Sequence, residues 1–219
     1  MPEHSHPKIA LLLMAAGSSS RLGQPKQLVE ITSKNNTPYT LLQRQVTMMD
    51  KICSSFNAQA YCVLGFESDR MIEHLGNCNS AHSLTIIDNA NWSQGLSTSI
   101  AKGVSLVASD VSAVLIFLVD QWQLSIENLA QLISQWQKQP ELIHVARLGD
   151  SFSPPVIFPR RFFKELIKLS GDEGAKKVIK NNIEQVQSIK MASAFVDLDT
   201  PEQLNGLKKQ NIIICTMKE

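Results

Sequence analysis

"LLLMAAGSSSRLGQPKQL", residues 11–28, passes from four apolar residues and two alanines into Gly17, three serines, Arg21, Gly23, Pro25 and Lys26. Taken from its start, "KIALLLMA" (8–15) is a continuous apolar run of the kind buried on both faces of a parallel sheet. In an open α/β sheet, ligands bind beyond the carboxyl ends of the strands, so the residues after Ala15 fall at the ligand edge. Small residues let backbone N–H groups close on a phosphate. Arg21 adds a planar fork and Lys26 a point charge. Read alone, the segment is either a cationic surface loop or a phosphate loop. It has neither familiar phosphate motif. One residue too many separates Gly17 from Gly23 for G-x-x-x-x-G-K-[ST], Gln24 stands where Lys belongs, and G-x-G-x-x-G is absent.

Outward from this stretch, strand-like and helix-like runs alternate. "TPYTLLQRQVTMMDKI" (37–52) has helical spacing, with Pro38 suited to a first turn. Strands are expected at 60–65, 83–88 and 112–120, and helices at 67–75, 95–109 and 125–139, the last capped by Ser125. This order predicts a single-domain α/β fold, a Rossmann-like three-layer sandwich with a mostly parallel central sheet. After Pro140 the expectation is a strand at 142–147, a loop through "LGDSFSPP" and a short strand at 156–158. Helices near 159–169 and 172–181, a strand at 194–199 and a helix at 200–210 follow, and "IIIC" forms an edge strand or a packing segment. One domain is expected over 1–219, with its core at about 8–210 and residues 1–7 disordered.

The composition bounds the function. The chain has 219 residues, 43% hydrophobic and 19% charged, as a globular protein with a full core requires. Net charge is +1, so no long-range field favours nucleic acid, and an anion site must be local. No apolar stretch approaches the ~20 residues of a membrane span, and no signal peptide is visible. Cys53, Cys62, Cys78 and Cys215 show no CxxC pair and read as reduced thiols of a cytoplasmic protein. His4 and His6 read as part of a frayed terminus, and His82 and His144 have no partner pattern.

A third pattern fits the opening stretch. "MAAGSSSRLGQPKQL" closely resembles the L-A-A-G-x-S-x-R-M-G-x-P-K-x-L signature of the MobA-like nucleotidyltransferase superfamily, with Leu22 in place of Met. "NANWSQGLSTSIAKGV" (89–104), "FLVDQWQL" (117–124), "LSGDEGAKKVI" (169–179) and "VDLDTPEQL" (196–204) are similar, in order, to segments of its molybdenum cofactor cytidylyltransferase branch. The resemblance implies transfer of a nucleoside monophosphate from CTP to the phosphate of a molybdopterin-type acceptor, with Mg²⁺ as cofactor. It implies that Ala15, Ala16, Gly17 and Ser18 line the nucleotide and that Arg21 and Lys26 hold its triphosphate. Gly95 and Ser99 would lie against base or ribose. Asp120 and Asp199 would be the metal-side acids, with Asp197 as neighbour, and Gly171 and Asp172 would face the acceptor. Arg21, Lys26 and Asp120 would be catalytic. In this superfamily the A-A-G form goes with CTP users and a G-G form with guanylyltransferases, so Ala16 points to cytosine. A molybdenum hydroxylase, or its accessory protein, would be the partner. The alternatives are a guanylyltransferase or other NTP transferase of this fold, and a non-catalytic nucleotide- or cofactor-binding accessory protein.

Plainer readings apply to several of these residues. Asp172 suits a cap for the helix "EGAKKVI", Asp199 a helix start, and Trp92 the core rather than a stacking platform. Trp122 replaces the proline usual after Asp-Gln and is expected as an aromatic at the site's rim, and "FSPPVIF" departs from the usual acceptor-side segment.

Overall fold

The computed structural model describes residues 7–32, 38–76 and 83–209. In chain order these form β1 (Ile9–Met14), an antiparallel pair β2 (Glu30–Thr32) and β3 (Pro38–Thr40), α1 (Leu41–Ser55), β4 (Ala58–Leu64), α2 (Ser68–Gly76) and β5 (Thr85–Asp88). Then come α3 (Leu96–Leu106), β6 (Ala113–Leu118), α4 (Ile126–Lys138), β7 (Ile143–Leu148), β8 (Ser151–Pro159), α5 (Phe163–Leu166), α6 (Lys176–Asn181), β9 (Val186–Lys190) and α7 (Pro201–Lys209). The expectations for His4, His6, Cys78, His82, Cys215 and "IIIC" lie outside the described residues.

The large sheet has the order β5-β4-β1-β6-β8-β7-β9. β1 pairs in parallel with β4 and β6, and every residue of it is buried. Its side chains alternate between two cores. Ile9, Leu11 and Leu13 join α1, α2, α4 and α7 on one side; Ala10, Leu12 and Met14 join α3, α5 and α6 on the other. Two buried faces explain the uninterrupted apolar run and make three layers. β1, β4 and β6 therefore deliver their carboxyl ends, at Met14, Leu64 and Leu118, to one edge.

Four expectations need correction. Pro38 does not open α1; it sits in β3, and Thr40 caps the helix through a reciprocal box. Gln43 N–H donates to Thr40 Oγ1 at 3.1 Å, and Thr40 N–H donates to Gln43 Oε1 at 2.9 Å. The "loop" at 148–155 and strand at 156–158 are mostly one nine-residue strand, β8, antiparallel to β6 and β7. Its ladder with β7 pairs Val156 with Val145 and then Ser153 with Ala146, so Pro154 and Pro155 fall in the irregularity between. That placement is how a strand tolerates residues without N–H donors. The helix expected near 159–169 is a 3₁₀ turn, Arg160–Phe162, running into the four-residue α5. The strand expected at 194–199 is a 3₁₀ turn, Ala192–Phe195, followed by unpaired chain, and the last strand is β9.

Candidate active site

Just past β1, the Ala15 N–H still donates to Val63 O at 2.9 Å, and then the chain leaves the sheet. Ser19 takes φ +56° and Gly23 φ +76°, so the loop doubles back, and a 3₁₀ turn, Lys26–Leu28, returns it. Gln27 holds this shape. It is 1% exposed, and its Nε2 donates to Ala15 O at 2.7 Å and Gly17 O at 2.8 Å. Ser19 Oγ accepts the Lys26 N–H at 3.1 Å and lies 3.5 Å from Gln27 Oε1. Two carbonyls that would repel an anion are thereby tied back to the protein.

Lys26 reaches from this turn to two acids. Its Nζ lies 2.7 Å from Asp120 Oδ2, beyond β6, and 2.6 Å from Asp199 Oδ1, before α7. Burial would push the lysine pKa down, but the charges and hydrogen bonds of Asp120 and then Asp199 outweigh it and hold it above the usual value. At Asp199 burial pushes upward, and the hydrogen bond and charge of Lys26, then the charge of Arg21, bring the pKa below the usual value. Arg21 Nη2 is 3.3 Å from Asp199 Oδ2 on a side chain that is 76% exposed, a rim contact. Asp197 stands apart: burial, then the charges of Asp120 and Asp199, push it up to about 6.

These residues border a cavity of about 430 Å³. Its lining includes Ala15, Ala16, Gly17, Ser18, Arg21, Lys26, Gly95, Ser99, Asp120, Asp172 and Asp199. The sequence-derived residues therefore converge, except that Gly171 supports rather than lines. Gly171 O accepts the Ser97 N–H at 3.1 Å, docking the 171–174 turn on the start of α3. A Cβ on Gly95, at φ +106°, would stand 2.2 Å from Asp172 Oδ1 and 2.6 Å from Gly171 O, so only glycine fits there. Asp172 thus does not cap α6, whose N-cap is Ala175.

Asp120 Oδ1 is buried and has no hydrogen-bond partner. A bare carboxylate oxygen beside a second acid suits a hard divalent cation such as Mg²⁺, which takes one or two carboxylates and completes its shell with phosphate oxygens and water. Among the described residues no group of three or more His, Cys, Asp or Glu forms a closed metal cage.

Three side chains were not legible as parts of the site. Gln27 is one; its signal is a polar residue immediately after the last cation, in a segment that must turn. Asn89, 3% exposed, donates through Nδ2 to Ser99 Oγ at 3.0 Å and Thr98 Oγ1 at 3.1 Å. Ser99 lines the cavity, and its hydroxyl oxygen is held by Asn89. Trp92 is not core: it is half-buried, lines the cavity, and meets Phe66 edge-on at 5.4 Å between ring centroids. A Cβ on Gly65 would stand 2.5 Å from Trp92 Cβ, so the indole seats against a bare backbone. Trp122 packs against the α1/α4 side of the core and is not among the cavity's lining residues.

A family model for the MobA-like NTP transferase domain matches residues 11–187, and the chain belongs to that family. It is 26% identical over 208 residues to the purine catabolism protein PucB of Bacillus subtilis (strain 168), covering 93% of this chain and 97% of PucB. The fold is shared with the Rv0371c protein of Mycobacterium tuberculosis H37Rv, at 23% identity and TM-score 0.71, covering 93% of this chain and 99% of that one. Rv0371c also has a crystal structure in complex with manganese, at TM-score 0.66. A nucleotidyl transferase from Methanothermobacter matches at 15% identity and TM-score 0.71, over 93% of this chain and 97% of its own. Among the described residues no helix is long and apolar enough to cross a membrane.

Proposed function

We propose that this protein is a nucleotidyltransferase that moves CMP from CTP to the phosphate of a molybdopterin-type cofactor and releases pyrophosphate. The observation that carries the reading is Lys26 held between Asp120 and Asp199 under a small-residue loop, inside a cavity of about 430 Å³. A cation and two acids facing one space suit a metal-bound triphosphate, whose charge needs both.

An acceptor phosphate oxygen attacks the α-phosphorus, and the bond from that phosphorus to the β-bridging oxygen breaks. Because a phosphate monoester has its second pKa near ~6, the nucleophile is already ionised near neutral pH and needs no general base. The chain's task is then positioning and charge neutralisation. Backbone N–H groups of residues 15–18 would receive phosphate oxygens, Lys26 would follow the charge building on them, and Arg21 would close the rim. Asp120 and Asp199 would hold Mg²⁺, which supplies charge neutralisation across the phosphates when bound. Ser99, oriented by Asn89, would donate to base or ribose.

The base preference rests on Ala16, whose methyl group narrows the lining where guanylyl-using relatives carry glycine. Likeness to a purine catabolism protein supports a purine-oxidising molybdenum hydroxylase, or its accessory protein, as recipient. The test is pyrophosphate release with CTP, GTP and ATP at fixed Mg²⁺ and molybdopterin. We expect kcat/KM for CTP to exceed that for the purines by ~10–200-fold, the scale set by one methyl group in a pocket. A GTP preference would make the protein a guanylyltransferase; no release with any of the three would leave a binding role.

A further inference from the structure

We propose that Lys26 locks the metal-side acids: its ammonium keeps a divalent cation off Asp120 and Asp199 until a nucleoside triphosphate draws it away. The inference rests on the metal-assisted transfer proposed above and adds the order in which nucleotide and metal enter. Two tasks fall to one nitrogen. In the proposed reaction Lys26 serves the phosphates, yet in the structure its Nζ touches both acids, 2.7 Å from Asp120 Oδ2 and 2.6 Å from Asp199 Oδ1. Arg21 Nη2 takes the other oxygen of Asp199 at 3.3 Å. Three of the four carboxylate oxygens therefore face a cation, and only Asp120 Oδ1 has no partner. Mg²⁺ is held through carboxylates together with substrate phosphate, so one carboxylate oxygen with an ammonium beside it is a weak seat.

The lock opens at the lysine. Both acids are pinned through their backbones. Asp120 O accepts the Trp122 N–H at 2.8 Å and the Leu198 N–H at 3.2 Å, and the Asp199 N–H donates to Gln203 Oε1 at 2.8 Å. The Lys26 backbone is pinned as well, its N–H donating to Ser19 Oγ at 3.1 Å. What can swing is the flexible stem that carries the ammonium. Lys26 lines the same cavity as Gly17 and Ser18, so its Nζ can turn from the acids to phosphate oxygens held against that loop. The turn uncovers Asp120 Oδ2 and Asp199 Oδ1 beside the bare Asp120 Oδ1 and leaves their negative charge to a metal. Nucleotide and metal then raise each other's affinity by one common factor, as linkage requires, and ~5–150-fold is the usual size of such coupling. The acids are thereby kept from capturing a metal that brings no substrate.

The experiment reads metal binding and the lysine itself rather than turnover. Full-length protein near neutral pH is titrated with Mn²⁺ alone, followed by the electron paramagnetic resonance signal of free Mn²⁺. K26M should bind Mn²⁺ at least ~10-fold tighter than wild type, inside the usual range of coupling. K26R, which keeps the charge, should stay near wild type, and K26M/D120N should lose the gain. A merely damaged fold does not gain affinity. In wild type, carbon-13-labelled lysine follows the Lys26 side chain, whose signal is identified by its loss in K26R. CTP with EDTA should move that signal, and Mg²⁺ alone should not. Mn²⁺ bound no tighter by K26M than by wild type, a Lys26 signal unmoved by CTP, or one moved by Mg²⁺ alone would each overturn the lock. A lock that opens to CTP in a protein that transfers no CMP to molybdopterin would stand and overturn the acceptor alone. Transfer of CMP without the lock would uphold the proposed function and overturn this inference.

Discussion

Lys26 Nζ lies 2.7 Å from Asp120 Oδ2, across 94 residues of sequence, and both side chains are largely buried. The same nitrogen contacts Asp199, so one cation offsets two acids in a confined space. The loop and the acids therefore depend on each other before any nucleotide arrives.

Replacing Lys26 by Met keeps most of the volume and removes the charge. Turnover should fall by ~10²–10³-fold, the usual loss for one charge-stabilising donor. Thermal stability should fall at about pH 8, where Asp120, Asp197 and Asp199 face one another with only the rim contact of Arg21 to Asp199 left, and recover toward pH 5 as carboxylates take up protons. Pyrophosphate release and melting temperature at the two pH values check both halves. Full turnover in K26M would remove the lysine from the reaction.

Asp197 has its pKa raised by burial and by its acidic neighbours to about 6. An acid whose folded pKa lies above its unfolded value loses stability as pH rises through that interval and regains it below. D197N should therefore raise the melting temperature at about pH 8 and raise it clearly less at about pH 5, which lies inside that interval. An equal shift at both values would show that charge is not the cause.

Gln27→Glu tests the tie on the loop. A carboxylate cannot donate to Ala15 O and Gly17 O, so two carbonyls lose their partner and face an added negative charge. The expected cost is ~1–3 kcal/mol in urea unfolding for the orphaned groups. KM for the nucleotide should rise more than kcat falls, because the loop proposed to receive phosphate loses its shape.

Gly65→Ala tests Trp92 without touching the cavity lining. The new methyl overlaps Trp92 Cβ and must push the indole outward. Nucleotide KM should rise and acceptor KM should not. Unaltered nucleotide KM, with tryptophan fluorescence showing a displaced ring, would exclude Trp92 from binding.

The fold was readable where local pattern and tertiary setting agree. The run 8–15 has no polar residue after Lys8, which only a strand covered on both faces tolerates, and β1 is that strand. Ser125 announced α4 because its cap is local. β8 was obscured because two adjacent prolines argue against a strand, and only the slipped register opposite Val145 and Ala146 accommodates them. β9, "VQSIK", alternates too weakly for a periodic reading. At the site, charged residues in a known motif were legible, and Gln27 and Asn89 were not. Their task is to hold other protein groups, Gln27 the loop's carbonyls and Asn89 the hydroxyls of Thr98 and Ser99, and neither an amide's presence in a segment nor its spacing says which group it holds.

Asp199 is the acid that completes the pair around Lys26, and it lies 173 residues further along the chain. During synthesis the amino-terminal part folds first, at ~5–20 residues per second. The nascent chain can therefore build β1, β4 and β6 and join Lys26 to Asp120 while the second acid is still inside the ribosome. Until residues 196–199 emerge and dock, with Leu198 N–H donating to Asp120 O at 3.2 Å, the half-made protein has the 15–28 loop but an unfinished charge balance. Truncation before that segment should leave a chain that folds in part and stays silent.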